Sequence, residues 1–228
     1  MDCVGGKVLP QWTDEPPAWL TREQWSPLAL VDYGDAPFFV NAENRLCLET
    51  ANAAFRRAVF DRIGLFSPEL QRVRDSIGSM EDLELMMRFW HAGGQGLYLP
   101  DIVVTAPVQI ERLTKAYHRR WHTGHGHFYA MMRAEEIEGS QARLFDVPGH
   151  LYRQALRDTA EWLRCTLAGE RHEAFRYETQ LRFFLGFFRK RRGDFLETNH
   201  GGTVREIATF IRRLATRKGY NNTQKEII

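Results

Sequence analysis

The chain changes character once, just past Pro107, and that break limits the folds open to it. Ahead of the break, short strand-like runs alternate with apolar residues at helical spacing, whereas only helical patterns follow it. Strand, helix and strand in succession argue for α/β packing, in which helices cover a sheet. The expected fold class is α/β, with an incomplete sheet-bearing domain over residues 1–108 and a basic helical region over 109–228 packing on it.

The patterns are specific enough to place. Residues 4–9 read as a strand that Pro10 ends. Residues 10–37 are rich in Pro and Trp, with Pro16, Pro17, Trp19, Trp25 and Pro27, and read as an irregular loop pinned by aromatic side chains. Residues 45–50 look like a second strand. Residues 51–63 look like a helix with Ala54, Phe55, Ala58, Val59 and Ile63 at helical spacing and Gly64 as its stop. The next helix has the clearest start, because Ser79 and Asp82 have capping-box spacing and Leu83, Met86, Met87 and Trp90 follow on one face. Gly93 and Gly94 close it. Residues 96–99 and 102–105 read as two strands parted by Pro100 and Asp101. Helices are then expected at 110–136, at 149–188 with a break near Gly169, and at 203–218. The α/β part looks incomplete, since each βαβ unit needs about 30 residues and no phosphate-cradling glycine loop is present.

Composition narrows the class further. Of 228 residues, 43% are hydrophobic and 26% charged, which excludes a disordered or collagen-like chain. Cys3, Cys47 and Cys165 are far apart and odd in number, so they signal neither a disulfide framework nor a zinc site, and they fit a reducing, cytoplasmic compartment. The first residues lack the basic start and apolar stretch of a signal peptide, and no apolar run reaches the roughly 18 residues of a membrane span. The net charge of +2 hides an asymmetry: residues 1–110 hold 9 Lys+Arg and 15 Asp+Glu, and residues 111–228 hold 22 and 14. The basic back is suited to meet phosphates, an anionic membrane surface or the acidic front itself.

Three constellations are candidates for chemistry. Glu81 and Asp82 sit at a helix start, where acids interact favourably with the helix dipole and need no further role. A carboxylate so placed and facing a cleft can equally act as a general base. In the second, Arg119, Arg120, Trp121 and His122 lie in a stretch, 112–133, with five Lys/Arg, four His and no acid, which favours anion binding. His118 and His122 have the i, i+4 spacing of a metal pair, but no local carboxylate or Cys joins them, and Gly124 and Gly126 should fray the helix. In the third, residues 181–188, rich in Phe, precede the cations 189–192. They suit either an interfacial membrane helix or an amphipathic core helix with a basic last turn. No nucleic-acid motif accompanies these charges, so nucleic acid is not an expected partner.

Taken in order, these segments resemble one family. Glu49-Thr-Ala-Asn52-Ala-Ala-Phe55-Arg56-Arg57, Val59-Phe-Asp-Arg-Ile-Gly64, Glu81-Asp82-Leu-Glu84 with Arg88, and Ala92-Gly93-Gly94 with Tyr98-Leu-Pro100-Asp101 are similar to the C-terminal half of a family 2 glycosyltransferase domain. Arg112-Leu-Thr114 with Tyr117, Arg119, Arg120, Trp121 and Gly124 is similar to the helix after its catalytic segment. The resemblance implies a partial GT-A (nucleotide-diphospho-sugar transferase-like) sheet and an inverting transfer from a nucleotide-sugar donor to a hydroxyl of a glycan or lipid-linked acceptor, in cell-envelope or polysaccharide synthesis. It implies Asp82 as the base, Glu81 beside it, Asn52 near the acceptor or cleft floor, and Arg119, Arg120, Trp121 and His122 along the leaving diphosphate. It also implies a divalent metal, Mg or Mn, yet the family's Asp-x-Asp ligands are absent; the nearest run, Asp32-Tyr-Gly-Asp35, has the wrong spacing. The expectation is thus a truncated member lacking the nucleotide-binding half, cytoplasmic or peripheral on the inner face of the membrane. The rival expectation is a non-enzymatic helical module that binds anionic membrane or polyanions, or an inactive remnant.

Overall fold

The computed structural model describes residues 1–70, 77, 80–139, 142–198 and 207. Ser79 of the expected capping box and most of the expected 203–218 helix lie outside the described residues.

The fold is mixed α/β. Strand β1 (Cys3–Trp12) forms the axis of a four-stranded sheet with β2 (Phe38–Val40), β3 (Ala53–Phe55) and β4 (Gly96–Val108), in the order β2-β4-β1-β3. β1 and β4 run parallel, and both outer strands pair antiparallel. β1 continues through Pro10, where the sequence pattern ends it. The Val8 N–H donates to Val31 O at 2.9 Å, away from β4. Two residues on, the Pro10 nitrogen faces the same way, where β3 pairs only with residues 3–5, so no ladder bond is lost.

The two strands expected at 96–99 and 102–105 are one strand with an irregularity. The register steps from Gly5↔Tyr98 to Lys7↔Val103, so residues 99–102 bulge outward and accommodate Pro100. Gly6 is needed there, because a Cβ at that position would lie 1.9 Å from Ile102 O. Asn52 Nδ2 stitches the bulge by donating to Lys7 O at 2.7 Å and Ile102 O at 3.0 Å.

Two further expectations are corrected. Residues 45–50 make no ladder pairing; the strand lies earlier, at β2, and the apolar pattern at 45–50 reflects the burial of Leu48 in the core. The expected helix over 51–63 splits into β3 and α1 (Arg57–Ile63), because Ala53, Ala54 and Phe55 pair with Gly5, Val4 and Cys3 instead. Gly64, at φ 81°, ends α1.

Helix α2 (Glu81–His91) packs Met86, Phe89 and Trp90 against Cys3, Val40, Leu48, Val59 and Tyr98 of the sheet side. Each such side chain taken fully from water is worth about 1.5–3 kcal/mol. Its N-cap is Met80, without a side-chain cap bond, one residue after the expected start.

The chain beyond β4 is mainly helical. Helix α3 (Lys115–Met132) is capped by the Thr114 hydroxyl, which accepts from Tyr117 N at 3.2 Å. It leads through α4 (Glu135–Glu138), a hairpin of β5 (Arg143–Leu144) and β6 (Val147–Pro148), and α5 (Gly149–Ala168) to α6 (Arg171–Thr198). Gly124 and Gly126 do not fray α3. Gly126 and Gly186 instead let α3 and α6 cross at backbone contact, since a Cβ on either would meet Phe183 O at 2.0 Å or Thr123 O at 1.9 Å. The aromatic run is core: Phe183, Phe184 and Phe187 are buried with Ala130, Val147 and Leu151. Among the described residues, no helix is long and apolar enough to cross a membrane.

The Pro/Trp loop straps the two parts together. Leu28 and Leu30 join Val8 and Val108 of the sheet with Leu113 and Tyr117 in one apolar cluster. Trp19 sets its ring edge-on to His118 and Phe175, each at 5.0 Å between centroids.

Candidate functional site

A cleft of about 560 Å³ opens where the strap, the start of α2 and α3 meet. One wall carries carboxyl groups. Cys47, Glu49 and Thr50 come from the extended segment before β3, and Glu81 and Asp82 from the first turn of α2. The other wall carries Arg112, Tyr117, Trp121 and His125. The last three are four residues apart along α3 and so share one helical face.

Asp82 is held by its neighbours. Thr50 Oγ1 donates to Asp82 Oδ1 at 2.7 Å, and the Thr50 N–H donates to Oδ2 at 3.3 Å. Glu49 lines the same wall as Asp82. Burial, then the charge and hydrogen bond of Asp82, then Glu81, push the Glu49 carboxyl up to about 8, so it keeps its proton at neutral pH. Cys47 is pushed well up as well, by burial and then by the charges of Glu49 and Asp82. Across the cleft, burial holds His125 down at about 4, neutral at pH 7. Two buried polar atoms in this cleft, Glu81 Oε2 and His125 Nδ1, have no hydrogen-bond partner among the described residues. Arg112 donates from Nη2 to Pro27 O at 2.7 Å and from Nε to the Tyr117 hydroxyl at 3.1 Å, which fixes its guanidinium on the strap side.

Of the residues singled out in the sequence, the structure brings Glu81, Asp82 and Trp121 to one cleft. The others lie elsewhere. Arg119 turns to α6 and makes a two-pronged ion pair with Glu178 at 2.6 and 2.9 Å. Arg120 is exposed and does not line the cleft. His122 is half-buried edge-on to Trp121, and burial, then His125 and His118, lower it to about 3. Asn52 is committed to the β1–β4 bulge. Of the cations after the aromatic run, Arg191 is buried and bonds Asp146 at 3.1 Å and Glu138, while Lys190 pairs with Asp194 at 2.9 Å. Glu49, Thr50, Arg112, Tyr117 and His125 were not singled out as site residues. The i, i+4 spacing of Tyr117, Trp121 and His125 is the signal that finds three of them; nothing local marks Glu49.

The residues present do not fit the metal that the resemblance implies. Asp32 and Asp35 are both taken by Lys7, and Asp32 also by Arg22 at 3.0 Å. Among the described residues no group of three or more His, Cys, Asp or Glu could hold a metal ion. No family model, curated protein or solved structure matches the chain.

Proposed function

We propose that this cleft is the acceptor side of a glycosyltransferase of GT-A type. In this reading Asp82 removes the proton from an acceptor hydroxyl as that oxygen displaces a nucleotide from the anomeric carbon of a sugar donor. The observation that carries it is the placement of Asp82. Its carboxylate lies at the start of a helix and lines a cleft. Thr50 fixes its orientation, and an aromatic and cationic wall faces it. A general base needs that combination of reach and fixed geometry. The mixed sheet with helices supports the reading at the level of class.

Arg112 takes the place of Arg119 and Arg120 as the cation beside the leaving group, because it lines the cleft and they do not. The chain carries no Asp-x-Asp turn, so the proposal covers the acceptor side and routes no step through a metal. The test is transfer of labelled sugar from a panel of nucleoside-diphosphate sugars to cell-envelope glycans and lipid-linked saccharides, with the anomeric configuration of the product read by NMR. Transfer with inversion is the expected result. Retention, or no transfer from any donor, contradicts it.

A further inference from the structure

Ile102-Val-Val-Thr-Ala106 is a run of apolar and β-branched residues without a charge, a Pro or a Gly. Such a run suits a strand covered on both faces. Yet residues 101–105 of β4 are all exposed, with Ile102, Val103 and Val104 at 37%, 47% and 38%. The sheet explains this. β2 covers β4 only from Gly96 to Tyr98, and beyond Tyr98 no described residue pairs with that side of β4. The other long strand is treated differently, since β3 pairs with the outer side of β1 at residues 3–5 and Val31 of the strap pairs with Val8.

The outward backbone groups follow from the register. The Val8 N–H points to Val31, away from β4, so Val104, its register partner, turns its own N–H and C=O to β1. Val103 and Thr105, one on either side, therefore turn theirs to the open edge. Sheet edges are normally blunted by Lys, by Pro or by a bulge. The bulge at 99–102 and Pro107 bound this stretch, and nothing of the kind lies between them.

We infer that this edge is an interface with a second copy of the chain. A two-fold axis through Val104, perpendicular to the sheet, sets two β4 strands antiparallel. Val103 then lies opposite Thr105 of the second copy, and Thr105 opposite its Val103, so every outward N–H and C=O of these residues finds a partner. Val104 meets Val104, Ile102 meets Ala106, and Asp101 meets Pro107, so no like charges face each other. The contact is isologous; it closes at two copies and joins the two sheets into one. An extended segment of a different protein would use the same backbone groups. The match of the edge to itself in hydrogen bonding, side-chain shape and charge selects the second copy. A strand edge is smaller than the roughly 800 Å² per partner of a standard interface, so the dimer depends on concentration. No β4 residue lines the cleft, and the inference stands apart from the reading of Asp82.

The experiment is sedimentation velocity of the full chain over a concentration series, with Val103→Lys and Thr105→Pro beside the wild type. Val103→Lys puts a charge on the exposed edge. Thr105→Pro removes an outward N–H and spares the bonds to β1, which belong to Val104 and Ala106. The wild type is expected to pass from monomer to dimer. Each variant is expected to weaken the dimer by about tenfold or more, because one change counts twice across a two-fold axis. Thermal midpoints at concentrations where the wild type is monomeric report whether the variants fold, and Val103→Lys, at an exposed position, carries the test if Thr105→Pro does not. Amide hydrogen exchange at Val103 and Thr105 should slow as concentration rises. A wild type that stays monomeric leaves the edge to a different partner and overturns the inference. A dimer unmoved by Val103→Lys, assembly that grows past two copies, or exchange at these two amides that is independent of concentration overturns it as well.

Discussion

At the scale of single residues, the fold depends on how buried charges are matched. Arg191 has a side chain 1% exposed and sits inside the helical part, bonded to Glu138 and Asp146. Removing one member of such a network leaves uncompensated charge, with a cost of about 3–5 kcal/mol. Arg133 and Arg143 still reach the same acids, at 2.6 Å from Asp146 and in contact with Glu138 respectively, which places Arg191→Met toward the lower end. Urea unfolding is expected to show a loss of about 3 kcal/mol. A loss below about 0.5 kcal/mol, the scale of an exposed pair, contradicts the account. In the sequence Arg191 is one of four consecutive cations, and nothing local separates it from its neighbours. Its burial follows from the helix period, which turns Phe183, Phe184, Phe187 and Arg191 to the same side.

At the scale of elements, the crossing of α3 and α6 rests on two glycines. The sequence suggested that Gly126 weakens its helix; the packing shows the use of both, since no side chain fits between Gly126 and the Phe183 carbonyl or between Gly186 and the Thr123 carbonyl. Gly186→Ala forces the helices apart, and overpacking of this kind costs about 1–3 kcal/mol even though alanine is the better helix former. The expected readout is a lower unfolding midpoint in Gly186→Ala and an equal or higher one in Gly193→Ala, where an added Cβ meets nothing within 4 Å. Equal midpoints for both variants contradict it. The same scale explains which site residues were legible. Asp82 could be read because a helix start and its acids are local features. Arg119, Arg120, Trp121 and His122 could not all serve one site, because consecutive helical residues point in directions about 100° apart. A family motif written as a run of neighbours conceals that only Trp121 faces the cleft, together with Tyr117 and His125 one turn away on either side. Likewise β4 was read as two strands, because a bulge around Pro100 is fixed by Asn52, a residue 50 positions away.

For the molecule as a whole, stability should follow the histidines of α3. Burial lowers His118 to about 4, His122 to about 3 and His125 to about 4, from an ordinary 6.5. Below 6.5 the unfolded chain therefore takes up protons that the folded chain refuses, so stability falls as pH drops from 6.5 toward 4. Glu49 runs the other way: raised to about 8 from 4.5, it favours the fold at low pH and loses that contribution as pH rises through 8. Three groups outweigh one, so the net slope between pH 6.5 and 4.5 is a loss on the order of a few kcal/mol. Denaturant midpoints at pH 7 and pH 5 should differ accordingly, and His118→Leu should flatten the dependence, because His118 is fully buried. A midpoint that does not change with pH, or one unaffected by His118→Leu, argues against this burial.

The division into a sheet-bearing front and a helical back could be read from the change of pattern past Pro107, and β4 ends at Val108. The cleft between them could not be read, because it is created by the strap: residues 26–29 reach across from the sheet to α3 through contacts 85–90 positions apart in sequence. Long-range closure of that kind leaves no periodic trace.

The most direct measurement is the rate of sugar transfer by the wild type and by Asp82→Asn, which is nearly isosteric and keeps a side-chain oxygen for Thr50, at matched thermal midpoints. The account predicts that kcat/KM falls by about 10²–10⁴, the usual contribution of a general base. An Asp82→Asn protein that transfers sugar at the wild-type rate contradicts it.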